Sequence, residues 1–183
     1  MNNYNEDIII EELRHEDTRQ AAFAKVIKHY STQLYWQIRR MVINHDNTND
    51  ILQDTFVKAW ININHFRGEA KLSTWLHKIA INESITFINK ERNRLSVSID
   101  DGDTFLVNNL MADEWWDGDE LQTQLQKAIN KLPEKQRLVF NMRYFDEMKY
   151  EDISEILGTS VGALKASYHH AVKKIEEFFS SID

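Results

Sequence analysis

The chain has 183 residues, 29 acidic and 22 basic side chains, a formal charge of −7, one proline, five glycines and no cysteine. That length suits one or two domains, the absent cysteine excludes disulfides and thiolate metal sites, and so little proline and glycine favours helices. No run approaches eighteen apolar residues, which argues against a membrane-spanning helix, and the acidic start MNNYNEDIIIEE has neither region of a secretory signal, so a cytoplasmic location is expected.

Ile8, Ile9, Ile10 and Leu13 predict a short first helix packed on the next. Asp17 and Thr18 are placed to cap a helix beginning near Gln20. Ala22, Phe23, Val26, Ile27, Tyr30, Leu34, Ile38 and Val42 recur at helical intervals, as one helix or as two with a bend at Tyr30–Ser31. Arg39 and Arg40 are expected to be solvated or paired at the surface. Residues 44–49 read as a polar loop, with Thr48 or Asn49 capping the next helix.

The stretch from Asn49 to Arg94 carries most of the information. Ile51, Leu52, Phe56, Ala59, Trp60 and Ile63 share one side of a helix. Asp50, Gln53, Asp54 and Val57 share an adjacent side, with Ile61 beside them. Phe66-Arg67-Gly68-Glu69-Ala70 interrupts the pattern, and Gly68 is the turn residue that leaves Phe66 and Arg67 near the surface. Leu72, Trp75, Leu76, Ile79 and Ala80 resume it. The expected unit is a helical hairpin with an aromatic and a cation at its bend. Residues 71–94 hold five Lys or Arg and two acidic residues, whereas 96–120 hold eight acidic residues and no Lys or Arg. A basic end is thus followed by an acidic connector, which also carries Trp115 and Trp116.

A second helical unit begins near Leu121, with Leu125, Ala128, Ile129 and Leu132 on its first apolar face. Pro133 fits the first turn of the next helix, which Leu138, Val139, Phe140, Met142 and Tyr144 fill. Tyr150, Ile153, Ile156 and Leu157 define a short helix, ended by Gly158. Ser160 is the N-cap of a last helix with Val161, Leu164, Tyr168, Ala171, Val172, Ile175 and Phe179 on its inward or shared side. This spacing is a helix-turn-helix.

Two motifs carry a resemblance. D-x-x-Q-x-T-F-x-K-A-W (Asp50–Trp60) followed by F-R-G-E-A-x-L-x-T-W-L-x-x-I-A (Phe66–Ala80) resembles region 2 of the sigma-70 family, and more narrowly the extracytoplasmic-function (ECF) group of bacterial RNA polymerase sigma factors. L-P-E-K-Q-R (Leu132–Arg137) and Y-E-D-I-S-E-I-L-G-T-S-V-G-A-L-K (Tyr150–Lys165) resemble region 4 of the same family. A generic helical core explains Trp60, Leu72 and Trp75, but not F-R-G-E-A between two helices. The resemblance implies an all-α chain of two small helical domains: 1–94 for core polymerase and the minus-ten element, 95–119 as an acidic linker, and 120–183 as a helix-turn-helix domain for the minus-thirty-five element. It implies that Asp50, Gln53, Asp54 and Val57 dock on the coiled coil of the largest polymerase subunit; carboxylates and an amide suit Arg-rich helices.

Opening a promoter requires a base to leave the stack, and a stacking surface repays part of that cost. The resemblance assigns single-stranded minus-ten DNA to the loop at Phe66 and Arg67 and the helix after it. Asn62, Asn64 and His65 offer hydrogen bonds to bases, while Lys71, Lys78, Asn82 and Lys90 follow phosphates. Phe66 also reads as a plug in the small core, and Trp75 as core rather than stacking platform. In the last helix, Ser160, Gly162, Ala163, Lys165, Ser167, His169 and Lys173 are the candidate DNA-facing positions, with Lys165 suited to guanine or phosphate. His169 and His170 also read as a solvated or helix-capping pair; as neighbours on a helix they do not face one metal site.

P-loop, GxSxG, HExxH and Gly-rich dinucleotide motifs are missing, so neither catalysis, a cofactor nor a metal is expected. The expected partners are core RNA polymerase, promoter DNA and an anti-sigma factor. A stand-alone helix-turn-helix repressor or activator on duplex operator DNA is the competing reading, and it has no need of the F-R-G-E-A hairpin.

Overall fold

Asparagine side chains open two of the first three helices. Asn5 Oδ1 accepts the amides of Asp7 and Ile8 at 3.0 and 3.3 Å and starts α1 (Glu6–Arg14). Asn44 Oδ1 accepts from the Asn47 amide at 3.0 Å and starts α3 (His45–Asn62). The computed structural model describes residues 4–42, 44–94 and 120–182, so the acidic connector 95–119, with Trp115 and Trp116, lies outside the described residues.

Three expectations about these helices are corrected. Residues 45–49 are the first turn of α3 rather than a loop, because Asn44 takes the capping role expected of Thr48 or Asn49. The second helix, α2 (Glu16–Val42), begins four residues before Gln20 and is unbroken through Tyr30–Ser31. Thr18 does not cap it; its hydroxyl donates to Glu12 O at 2.6 Å. α4 (Leu72–Arg94) starts where the sequence places it.

α1 lies on α2 through Ile9 and Leu13, while Ile8 faces solvent at 56 % exposure. α2, α3 and α4 pack around Val26, Leu34, Ile38, Ala59, Leu72, Leu76 and Ala80, all without solvent exposure. Lys58 of α3 donates to Glu83 of α4 at 2.6 Å, which gives Glu83 a structural partner.

The second half has α5 (Glu120–Asn130), α6 (Glu134–Phe140) running into a π-helical turn at Asn141–Phe145, α7 (Tyr150–Leu157) and α8 (Val161–Ser180). Pro133 stands one residue before α6, with φ −51 suited to a helix start. The π turn breaks the 3.6-residue spacing. Tyr144, one of the residues expected to fill this helix, is 53 % exposed and stacks its ring on Phe140 at 5.1 Å. Gly158 takes φ +60 and ends α7, and Ser160 Oγ accepts the Ala163 amide at 3.3 Å to start α8.

The halves abut directly. Leu138, Val139, Met142, Met148, Ile153, Ile156 and Leu164 join the same apolar cluster as α2, α3 and α4, while Ala128, Ile129, Leu132, Phe140, Ala171 and Ile175 form a second cluster. A polar chain crosses the junction. Glu147, at φ +51, turns the backbone after the π turn into a region non-glycine residues avoid, at about 1–2 kcal/mol. That turn aims Asp146 at α2. The Asp146 side chain is 2 % exposed and pairs with Arg40, itself 13 % exposed. Asp146 also accepts from Gln37 Nε2 at 3.0 Å, and Gln37 Oε1 meets His77 Nδ1 at 2.7 Å. The expectation that Arg39 and Arg40 lie at the surface is thus wrong for both: Arg39 is 3 % exposed, and Arg40 is claimed by a carboxylate from the other half of the chain. No local pattern in α2 announces a partner more than a hundred residues away.

This chain fixes its own protonation. Ionised Asp146 only accepts, so Gln37 must donate to it with its amide nitrogen, and its oxygen is left to accept from His77. Burial, aided by the Arg40 charge, lowers His77 to about 4, so the ring is neutral and Nδ1 carries the proton. Below pH 6.5 the unfolded chain binds a proton that the folded chain refuses. Stability from this residue is therefore full above the unfolded value and is lost as pH falls toward about 4, by about 3 kcal/mol at most. Asp146, pushed up by burial against the opposing Arg40 and Gln37, contributes with the opposite sign. The difference between wild type and His77→Gln isolates the histidine, since glutamine still donates to Gln37. Urea midpoints from pH 7 to 4.5 are expected to fall more steeply for wild type than for H77Q; parallel profiles would remove His77 as the source.

Candidate nucleic-acid interface

α3 presents one continuous wet and apolar strip. Asp50, Gln53, Asp54 and Val57 are all exposed, and Val57 and Ile61 stand out at 48 % and 65 %. Trp60, placed with the core by its spacing, is 40 % exposed and leans its ring on Phe23 at 5.1 Å. Val57, Trp60 and Ile61 leave more apolar surface on one helix than a solvated face normally carries.

α3 ends in a 3-10 turn at Ile63–His65, closed by the Phe66 amide on Ile63 O at 3.1 Å. Gly68 takes φ +75, a conformation side chains rarely adopt, and the chain doubles back into α4. His65, Phe66, Arg67, Gly68, Glu69, Ala70 and Trp75 line an open cleft of about 520 Å³. Arg67 projects freely, its side chain 82 % exposed, with Glu69 3.9 Å away. Phe66 is half-buried and rests on Trp75 with ring centroids 5.2 Å apart. The two readings of Phe66 therefore meet: one face packs on the core and the other borders the cleft. Trp75, read as core, is half-buried and shares that cleft wall.

The other candidates of this half are more scattered. Asn64 lines a smaller cavity of about 150 Å³ on the other side of Phe66, with Ile10, Leu13, Arg14, Arg19 and Ile63. Asn62 commits its amide nitrogen to Lys58 O at 2.8 Å. Lys71, just before α4, and Asn82 and Lys90 along it are exposed, and Lys78 is half-buried; none of them lines the cleft. Glu155 of α7 does line it, a carboxylate from the helix-turn-helix half that nothing near it in the sequence connects to the loop.

In the last helix, α8, Leu164, Ala171 and Ile175 are buried, and Ser160, Gly162, Ala163, Lys165, His169 and Lys173 are exposed, with Ser167 half-buried. The space a Cβ would take at Gly162 is open. Lys165 Nζ lies 5.8 Å from the Tyr150 ring, a cation–π contact between the two helices of the motif. Lys173 reaches Glu177 at 3.8 Å, an exposed pair that holds it weakly. The His169 and His170 rings are 5.9 Å apart and tilted. Among the described residues no group of His, Cys, Asp or Glu could hold a metal ion.

The ECF RNA polymerase sigma factor SigW of Bacillus subtilis is 34 % identical to this chain over 158 residues, covering 82 % of this chain and 84 % of its own length. The chain belongs to the ECF group of the sigma-70 family. The region 2 model of that family matches residues 26–94 and the region 4 model matches residues 122–175. The ECF sigma-E factor of Haemophilus influenzae is 26 % identical and covers 92 % of both chains. The fold agrees. The sigma factor RpoE of Bartonella quintana, solved with the anti-sigma factor NepR, superposes with a TM-score of 0.69 at 22 % identity, covering 86 % of this chain and 96 % of that one. CnrH, solved with the cytosolic domain of CnrY, gives 0.71 at 20 % identity, covering 97 % of this chain and 99 % of that one. This sigma factor is all-helical, with its region 4 half built as a helix-turn-helix, and sigma factors are not themselves enzymes. No helix among its described residues is long and apolar enough to cross a membrane. α1 lies outside both matched segments.

Proposed function

We propose that this chain is an alternative sigma factor that binds core RNA polymerase, directs it to a particular promoter class and opens the DNA there. The observation that carries the reading is the continuity of α3 with the loop: an exposed strip of Asp50, Gln53, Asp54, Val57 and Ile61 leads within one helix into the Phe66–Arg67 cleft. In this reading residues 1–94 dock on the coiled coil of the largest subunit through that strip and read the minus-ten element as single-stranded DNA. Phe66 and Trp75 offer ring faces, His65 and Asn64 offer hydrogen bonds, and Arg67 and Lys71 offer charge to phosphate. Residues 120–183 read the minus-thirty-five duplex from the exposed side of α8, through Ser160, Gly162, Ala163, Lys165, Ser167, His169 and Lys173. Residues 95–119 link the two. Asn62, Lys78, Asn82 and Lys90 are flanking contacts, Asn62 with less hydrogen-bonding capacity to spare. The net charge of −7 fits a protein that meets DNA as part of a larger basic complex rather than alone. An anti-sigma factor as antagonist and a cytoplasmic location belong to the same proposal.

The test is reconstitution with bacterial core polymerase and promoter-specific transcription. D50A/D54A is expected to weaken core binding by about tenfold or more, as the loss of charge-assisted hydrogen bonds implies, with helicity unchanged by circular dichroism. An unaltered core affinity in a folded variant removes this face as the dock.

A further inference from the structure

α4 begins with a defect. Its first intrahelical bond runs from the Trp75 amide to Lys71 O at 3.1 Å, so Lys71 occupies the capping position. A lysine side chain has no acceptor to offer the free amides of the first turn. The acceptor comes from the far end of the chain: Glu6 Oε1 takes the Leu72 amide at 3.0 Å. Its carboxylate also suits the positive end of the helix dipole.

Glu6 is itself held. Its Oε2 accepts the Tyr30 hydroxyl at 2.9 Å, and burial together with that bond raises Tyr30 well above the ordinary phenol range, so the hydroxyl keeps its proton and remains a donor. The Tyr4 ring stands edge-on to Tyr30 at 5.7 Å and stacks flat on His29 at 3.7 Å, closing the cluster around the carboxylate. α1 meets the loop at two further points. A Cβ built on Gly68 would lie 3.7 Å from Arg14 Nη2, which places the guanidinium against the apex of the loop. Ile10, Leu13 and Arg14 share the small cavity with Ile63, Asn64 and Phe66, where the loop begins.

We propose that Glu6 is a positioning residue for the strand-reading loop: by capping α4 from α1, it fixes the end of the segment 66–71 and so sets Phe66 and Arg67 for single-stranded DNA. α1 thereby braces the loop at its start, apex and end. The inference rests on the role of the loop proposed above, but the brace is separate from it. The hydrogen bonds described for Glu6 go to Tyr30 and Leu72 and not to the docking strip on α3.

The experiment compares wild type, Glu6→Ala, Glu6→Gln and Phe66→Ala/Arg67→Ala, each bound to core polymerase. Affinity for core and for a single-stranded minus-ten oligonucleotide are measured separately. E6A is expected to bind core as wild type does and to bind the oligonucleotide about five- to tenfold more weakly, the scale of one lost helix cap. E6Q, whose amide oxygen can still accept from Leu72, is expected to recover most of that loss. Undiminished oligonucleotide binding by E6A overturns the proposal. So does a parallel loss of core affinity, which would make Glu6 merely structural, and so does failure of E6Q to recover binding. If F66A/R67A binds the oligonucleotide normally, the reading of the loop fails; if only E6A binds normally, the reading of the loop stands and the brace fails.

Discussion

Arg40→Ala is expected to destabilise the closed arrangement of the two halves by about 3–5 kcal/mol, the largest single effect foreseen for this chain. The substitution leaves the Asp146 carboxylate, 2 % exposed, without its cation. Gln37 still donates one hydrogen bond at 3.0 Å, which satisfies one oxygen but does not neutralise a buried charge. Arg40 also lies over the Phe145 ring at 4.8 Å, a contact that alanine abolishes. The effect should fall on the junction rather than on either helical half, because Val26, Leu34 and Ile38 on one side and Ile129 and Ala171 on the other do not depend on the ion pair. Urea unfolding is expected to be a single transition in wild type and to separate into two in R40A, and dyes placed on α3 and α8 should move apart under native conditions. Arg40→Met/Asp146→Leu is the control, since removing both charges together avoids an unpaired one; it should recover much of the lost stability. One unshifted transition for R40A would mean that the apolar contacts hold the halves together without the pair.

Phe66→Ala/Arg67→Ala is expected to slow open-complex formation by about tenfold to a hundredfold, given about 1–3 kcal/mol for each base–aromatic stack. The geometry separates this from simple unfolding. Arg67 touches little, with its side chain 82 % exposed, and Phe66 is half-buried, so the cost in folding is expected near 1–2 kcal/mol rather than the 3–5 kcal/mol of a fully buried phenylalanine. The double variant should still bind core polymerase and closed promoter DNA, because neither residue lies on α3 or α8. A pre-melted bubble should partly restore initiation, since the unstacking work is then already done. Permanganate reactivity of unpaired thymines reports opening directly. Normal opening at limiting sigma factor would remove the loop from the single-strand contacts and shift attention to Asn64, His65 and Lys71.

Most of the architecture was legible because it is local. Helical spacing from Ile51 to Ala80, Gly68 at the bend, Gly158 after α7 and Ser160 before α8 each act within one turn of themselves, and each stands where its chemistry places it. Errors came where two local signals competed or a turn changed pitch. Asn44 outcompeted Thr48 and Asn49 as the cap because its own amide oxygen reaches Asn47. Tyr144, read as filling a regular helix, lies exposed in the π turn at Asn141–Phe145.

The amino-acid sequence by itself determined the helices, their turns, the exposed strip on α3 and the loop with its aromatic and its cation, because periodicity and glycine act on neighbours in the chain. It also contained a gap, a lysine where α4 needs an acceptor. Only the tertiary structure decided what fills that gap and what else is brought together across the fold: Glu6 on Leu72, sixty-six residues apart, Asp146 on Arg40 and Gln37, and Glu155 on the wall of the cleft that Phe66 also lines. A carboxylate has no period and no preferred separation from its partner. Which buried amide or guanidinium it serves depends on the path of the backbone between them, and that path exists only once the chain has packed.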